Sequence, residues 1–194
     1  MLDAPLVDIL GHMGNALENM RWKRAYRQYR NRYEIHPSFV FNGPDTLLYG
    51  EGRIVLSARS YIGRGSQIQS GKGCKVEIGE NCAVSHYLMI YTENMVADED
   101  FTKSHNIERG DVFIGHSCWI GARVYINQGV SIGDNSAVGA HSVVTRDIPP
   151  NCIAAGAPAK VVKFKSYLKR GEAEELARKY RDSLSTVLRR DLKE

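Results

Sequence analysis

No run of apolar residues approaches the roughly 20 that a bilayer-spanning helix needs, so a helical membrane span is not expected. The opening MLDAPLVDIL lacks the basic stretch, apolar core and small-residue cleavage site of a secretory leader, and the reading is of a cytoplasmic protein. Cysteine is sparse. Cys74, Cys82, Cys118 and Cys152 contain no C-x-x-C pair, which leaves no thioredoxin-type or ribbon-type zinc motif and points to reduced thiols. Charge of one sign is scarce too. Twenty-six Lys and Arg against 22 Asp and Glu leave a net +4, too little to argue for nucleic acid but compatible with an anionic small ligand. A length of 194 residues suits one domain with appended helices.

What the chain does have is a repeat of six residues. From Ile114 it reads IGHSCW, IGARVY, INQGVS, IGDNSA, VGAHSV, VTRDIP. Each unit opens on an aliphatic residue: Ile114, Ile120, Ile126, Ile132, Val138 and Val144. Its fifth residue is small or apolar: Cys118, Val124, Val130, Ser136, Ser142 and Ile148. The same phase runs upstream at Ile78, Val84 and Ile90, and more loosely at Leu48, Ile54, Ile62 and Ile68. A period of six fits neither an amphipathic helix nor an alternating strand. It fits a three-sided prism, in which each unit gives one short strand and one corner. Three units close a coil of 18 residues, and coils stack as parallel strands about 4.8 Å apart. Inward aliphatic residues then form the core, and glycine, asparagine and aspartate are expected at corners needing positive φ. The fold class is therefore an all-β solenoid.

Two segments fall outside the repeat. Residues 3–33 have helical spacing at Leu6, Leu10, Met13, Leu17 and Met20, with Pro5 near the start and Gly11 and Gly14 as points of weakness. Their later part, RWKRAYRQYRNRY, interleaves cations with Trp22, Tyr26, Tyr29 and Tyr33. It reads either as a contact for a membrane surface or as a helix packed on the prism with a solvated basic face, and the second is preferred. Residues 171–190 give a second helical pattern, at Leu176, Tyr180, Leu184 and Leu188, suited to covering the open end of the solenoid. The expected organisation is a helical segment over 1–36, a solenoid over 37–165 with a loop insertion at about 95–111, and a C-terminal helix within 166–194.

Through residues 112–163, VFIGHSCWIGARVYINQGVSIGDNSAVGAHSVVTRDIPPNCIAAGAPAKVVK, the stretch 78–164 resembles the hexapeptide-repeat acyltransferase superfamily, and within it the galactoside/maltose and surface-polysaccharide O-acetyltransferases. The resemblance implies a left-handed parallel β-helix, a homotrimer, and acetyl-coenzyme A as acyl donor in the groove between neighbouring prisms. A hydroxyl of a sugar or polysaccharide precursor would be the acceptor, with no nucleic-acid partner and no metal. Carried over by position, Ala122 and Ala140 touch the coenzyme, Trp119 lies beside its arm, and Arg146, Lys160 and Lys163 suit its phosphate end.

In one respect the sequence departs from that pattern. Acyl transfer to a neutral hydroxyl needs a base, typically histidine, yet Met95 stands at the family's histidine position. Two histidines could replace it. His86 is the third residue of its unit, in line with Ala122 and Ala140. His105 lies in the insertion ADEDFTKSHNIERGD, which could fold over a neighbouring groove. The acidic run Asp98, Glu99, Asp100 is a further source of a base or of a group that orients one, and otherwise a solvated face. Two alternatives stay open: N-acylation of an amino sugar, which demands less of a base, and a catalytically weak coenzyme-binding trimer. A zinc hydratase on such a prism would need three converging histidines, and the repeats hold no H-x4-H pair.

Overall fold

The structure is a computed structural model describing residues 4–184. Side chains at alternate strand positions point to opposite faces, so each aliphatic first residue turns inward once its unit is extended. Three walls result. The first stacks Glu34–Ile35, Arg53–Leu56, Lys75–Ile78, Val112–Ile114 and Ser131–Ile132. The second stacks Val40–Asn42, Tyr61–Gly63, Ala83–Val84, Trp119–Ile120, Ala137–Val138 and Cys152–Gly156, all parallel. The third stacks Leu47–Tyr49, Gln67–Gln69, Met89–Tyr91, Tyr125–Ile126 and Val143–Val144. Ile120, Ile126 and Ile132 thus line the second, third and first walls in turn, and none is more than 2% exposed. The other aliphatic residues of the repeat, from Leu48 to Val144, are buried in the same cluster. The expected parallel β-helix is the fold of the chain.

The corners follow the expectation in large part: positive φ falls on Gly43, Gly65, Gly129, Asp45, Asn81, Asn135 and Asn151. It also falls on Arg59 and Ser117 where the chain passes from the first wall to the second, and on Tyr87, Arg123 and His141 from the second to the third. Glycine at the second place of the unit serves closeness instead. A Cβ on Gly121 would lie 2.5 Å from the Ala140 amide nitrogen in the next coil, nearer than any side chain can tolerate.

Serines at inward positions do more than fill space. Ser60 donates to the Gly79 carbonyl at 2.7 Å and accepts from the Cys82 amide at 2.8 Å. Ser136 and Ser142 make the same kind of link to Pro149 and to Gly156. Each closes a backbone group of the following coil, and the Gly79 and Cys82 groups held by Ser60 are buried. Ser60→Ala should therefore cost about 1–3 kcal/mol, read as a lower urea midpoint. An unchanged midpoint would mean that these backbone groups find other partners.

The ends and the insertion complete the fold. α1, Ala4–Arg32, is one uninterrupted helix despite Gly11 and Gly14. Its last turns cover the first coil. Tyr26 stacks on Phe41 at 4.3 Å and donates to the Gly43 carbonyl, while Arg30 donates to the carbonyls of His36 and Phe39. This is the packed arrangement expected for the basic aromatic segment. The insertion is a hairpin rather than a plain loop: Glu93–Met95 pairs antiparallel with Ile107–Arg109, and residues 96–106 form its tip. After Cys152–Gly156 the chain turns back as Ala159–Phe164, antiparallel to it. α2, Arg170–Lys179, then packs Ala177 on the core. The C-terminal helix is shorter than the sequence pattern over 171–190: a single 3-10 turn, Arg181–Ser183, follows α2, and Leu184 bridges Val161 as a strand. Tyr180 takes up a non-helical conformation at the α2 C-cap. Leu188 lies outside the described residues.

Candidate functional site

One corner of the prism carries three of the residues singled out above, His86, Ala122 and Ala140. Backbone bonds stack it coil on coil: Tyr87 N–H donates to Arg64, Arg123 N–H to His86, and His141 N–H to Ala122, all at 2.8–2.9 Å. His86, Ala122 and Ala140 are therefore aligned in three successive coils at the passage from the second wall to the third. Ala140 and His86 are exposed, and Ala122 is half-buried. Alanine here keeps the strip low and leaves backbone edges open to a long, thin ligand.

Trp119 stands on the second wall beside this strip, paired in register between Ala83 and Ala137. Its small neighbours leave the ring 57% exposed. A flat indole between two alanines offers apolar contact at little cost in side-chain ordering. The Arg123 guanidinium lies over the Tyr87 ring at 5.6 Å, flanking His86.

His105 belongs to a different corner. The hairpin leaves the prism between the third wall and the first, so one chain does not bring His105 to the strip of His86, Ala122 and Ala140. The His105 ring stacks on Phe101 at 6.1 Å. The hairpin is firmly rooted. Glu93 joins Gln69 at 2.7 Å and Arg109 at 2.9 Å, and Asn94 donates to Asn127 and Gln128 in the next coil. Met95 is 47% exposed on the hairpin, opposite Ile107. With Glu93 and Asn94, the two line a shallow recess of about 250 Å³.

The acidic run has work inside the hairpin tip. Glu99 accepts hydrogen bonds from the Asn106 amide, the Asn106 side chain and Ser104, which hold its carboxyl below the usual range. Asp100 is likewise held low, by Lys103 first and then by Thr102. Carboxylates stabilised in this way are weak bases, and they shape the loop. Elsewhere, His116 accepts from the Glu80 amide at 3.0 Å and so fixes a corner. Among the described residues no three His, Cys, Asp or Glu side chains come together as a metal site.

Arg146 sits at the third-to-first corner of the last coil, 3.9 Å from Asp182. Lys160 donates to the Asp182 carbonyl, and Lys163 is exposed on the returning strand. Arg146 also borders a cleft of about 990 Å³ shared with Arg178, Lys179 and Arg181. Sequence reasoning missed these three cations. The signal was there in the run ARKYR, residues 177–181, but it was read only for helix. All four cysteines are free and buried, and burial pushes the Cys152 thiol up to about 11.

A repeating aliphatic interior, tight Gly-bearing corners and a low strip along one edge define a hexapeptide-repeat solenoid. Residues 111–146 match the family described as bacterial transferase hexapeptide (six repeats). Over 52 residues the chain is 58% identical to the galactoside O-acetyltransferase of Escherichia coli (strain K12), a match covering 27% of this chain and 26% of that one. The matched stretch thus spans about a quarter of the length of the curated relatives. Among solved structures, the polysialic acid O-acetyltransferase OatWY superposes with a TM-score of 0.57 at 29% identity, covering 68% of this chain and 64% of that one. The hexapeptide-repeat acetyltransferase VCA0836 of Vibrio cholerae O1 biovar eltor, in complex with acetyl-coenzyme A, shares the fold. Its TM-score is 0.59 at 24% identity, over 73% of this chain and 76% of that one.

Proposed function

We propose that this protein is an acyltransferase that moves an acetyl group from acetyl-coenzyme A to a hydroxyl of a sugar or polysaccharide precursor, working as a homotrimer. The observation that carries this reading is the 52-residue identity of 58% with a galactoside O-acetyltransferase, together with a strip of small residues running along one corner of the solenoid. Pantetheine is long and narrow, and the exposed corner of Ala122 and Ala140 suits it, with Trp119 beside its arm. Arg146, Lys160 and Lys163 are assigned to the phosphate end, where charge-assisted hydrogen bonds to phosphate are strong. The cations Arg178, Lys179 and Arg181 line the same cleft as Arg146 and add to the attraction for an anionic donor. Four free, buried cysteines suit a cytoplasmic setting.

In the reaction, His86 takes the proton of the acceptor hydroxyl as its oxygen attacks the thioester carbon. The C–S bond then breaks, and the coenzyme leaves as a thiolate that takes up a proton. His86 is preferred to His105 because its backbone is fixed by the stacked corner, and catalytic groups act best from rigid elements. One observation favours a second reading, acylation of an amino sugar. By the register of the resemblance Met95, paired with Ile107 on the hairpin, stands where the family's histidine is expected, and an amine with a low pKa needs less help from a base.

Thiol release from acetyl-coenzyme A, measured against a panel of sugars and amino sugars, tests the proposal. Turnover is expected with at least one hydroxyl acceptor. Turnover confined to amino sugars would establish the second reading. Coenzyme binding without thiol release from any acceptor would refute both.

A further inference from the structure

Helix α1 has two halves that face opposite ways. In its second half, Tyr26 and Tyr29 pack on Phe41 of the first coil, and Trp22, beside Tyr26, is partly buried. In its first half, the side chains of Met13, Leu17 and Met20 are 57%, 61% and 57% exposed, and so are their described neighbours from residue 11 to residue 20. At 3.6 residues per turn, Met13, Leu17 and Met20 fall within about 60° of one another, on the side of the helix away from Trp22, Tyr26 and Tyr29. The apolar stripe is therefore not a continuation of the face that grips the solenoid. Among the described residues, Met13, Leu17 and Met20 are left open to solvent.

Its spacing is informative. The stripe steps by four, three, four and three through Leu6, Leu10, Met13, Leu17 and Met20, which is the narrow seam of a coiled coil rather than the broad face of a helix lying on a core. It ends where the next two seam positions become Arg24 and Arg27. A helical extension this short, with Gly11 and Gly14 inside it, has little stability of its own in water. Packing must supply it.

The charges identify the occupant. Residues 1–20 contain Asp3, Asp8 and Glu18 and no Lys or Arg, whereas residues 21–33 contain six Lys and Arg and no acid. An anionic membrane would repel the half that carries the stripe. A second copy of this chain suits it: laid antiparallel, the acidic half of each helix runs toward the basic half of the other, while a parallel pair would set like charges side by side. We propose that the first half of α1 is an assembly segment, pairing antiparallel with the same half-helix of a second copy and joining two assemblies of this chain head to head. Where each assembly holds several copies, several short contacts close together and reinforce one another. The inference needs neither acyl transfer nor a particular number of subunits, since the mass doubles whatever the starting oligomer.

Sedimentation velocity of the full chain tests it. The parent should have twice the mass of Met13→Glu/Leu17→Glu, with the same thermal midpoint, since neither residue touches the solenoid. Arg24→Glu/Arg27→Glu should also halve the mass. Equal mass in the parent and Met13→Glu/Leu17→Glu would overturn the proposal. It would do so equally if the parent, and not that variant, sedimented with phosphatidylglycerol vesicles, in which case the stripe is a membrane contact. A doubled mass that survives Arg24→Glu/Arg27→Glu would overturn the antiparallel arrangement. Thiol release should persist in all three proteins, which separates a failure here from a failure of the proposed activity.

Discussion

Replacing His86 with alanine should lower kcat for thiol release by about 10²–10⁴-fold, the range lost when a positioned general base is removed. The coenzyme affinity should hardly change, because the strip that would seat the donor is built from Ala122, Ala140 and backbone. The stability should hardly change either: His86 is exposed, and its backbone carbonyl, which accepts from Arg123 N–H, survives the substitution. His105→Ala, on the hairpin tip, should keep most of the parent rate, since the hairpin leaves the prism at a different corner from His86 and the ring stacks on Phe101. The measurement is kcat and KM for both variants with a competent acceptor. A full rate in His86→Ala would remove His86 from the mechanism. A collapse in His105→Ala alone would transfer the role to a hairpin reaching over a neighbouring subunit's groove.

The second large effect concerns the core. Ile120→Ala should destabilise the protein by about 2–5 kcal/mol. Ile120 is 0% exposed and is stacked in register between Val84 and Val138. Two features keep the cost toward the upper part of that range. The cavity would be walled by strands whose spacing is fixed by hydrogen bonds above and below, so it cannot readily close. Each rung also serves as packing surface for the coils on both sides, so one deletion loosens two contacts. Trp119→Ala, at the adjacent position but facing outward, should leave the urea midpoint within about 0.5 kcal/mol of the parent. Equal losses in the two variants would mean that the inward and outward faces had been misassigned.

The walls were legible in the sequence because their cause is local and repeated. An aliphatic residue every sixth place has one packing solution, and Ile114 through Val144 all adopt it. The corners were less legible. Glycine, asparagine and aspartate suggested positive φ and Gly65, Asp45 and Asn81 do carry it, but so do Tyr87, Arg123 and His141, since the stacked backbone dictates the turn and the side chain merely has to point outward. Gly121 is needed for a contact with Ala140, a long-range matter that no single unit reveals. The inward serines were seen as small; that Ser60 links Gly79 to Cys82 required the neighbouring coil. The site was half legible. The phase of the repeat aligned His86 with Ala122 and Ala140, but it could not tell that the insertion springs from another corner, or that Arg178 and Arg181 meet Arg146. Those relations depend on where α2 stops, and the sequence pattern carried that helix beyond Lys179.

The strand that turns back at the C-terminal end has a consequence for the behaviour of the protein in concentrated solution. A pile of parallel coils is a template, and a bare last coil would invite another molecule to dock and continue the ladder into a filament. Ala159–Phe164 occupies that ladder in the opposite direction, and Leu184 bridges Val161 on its far side. The aromatic cluster of Tyr26, Tyr29 and Phe41 covers the other end. Growth is blocked along the second wall at one pole and hindered by the aromatic cluster at the other, so fibrillar aggregation is disfavoured.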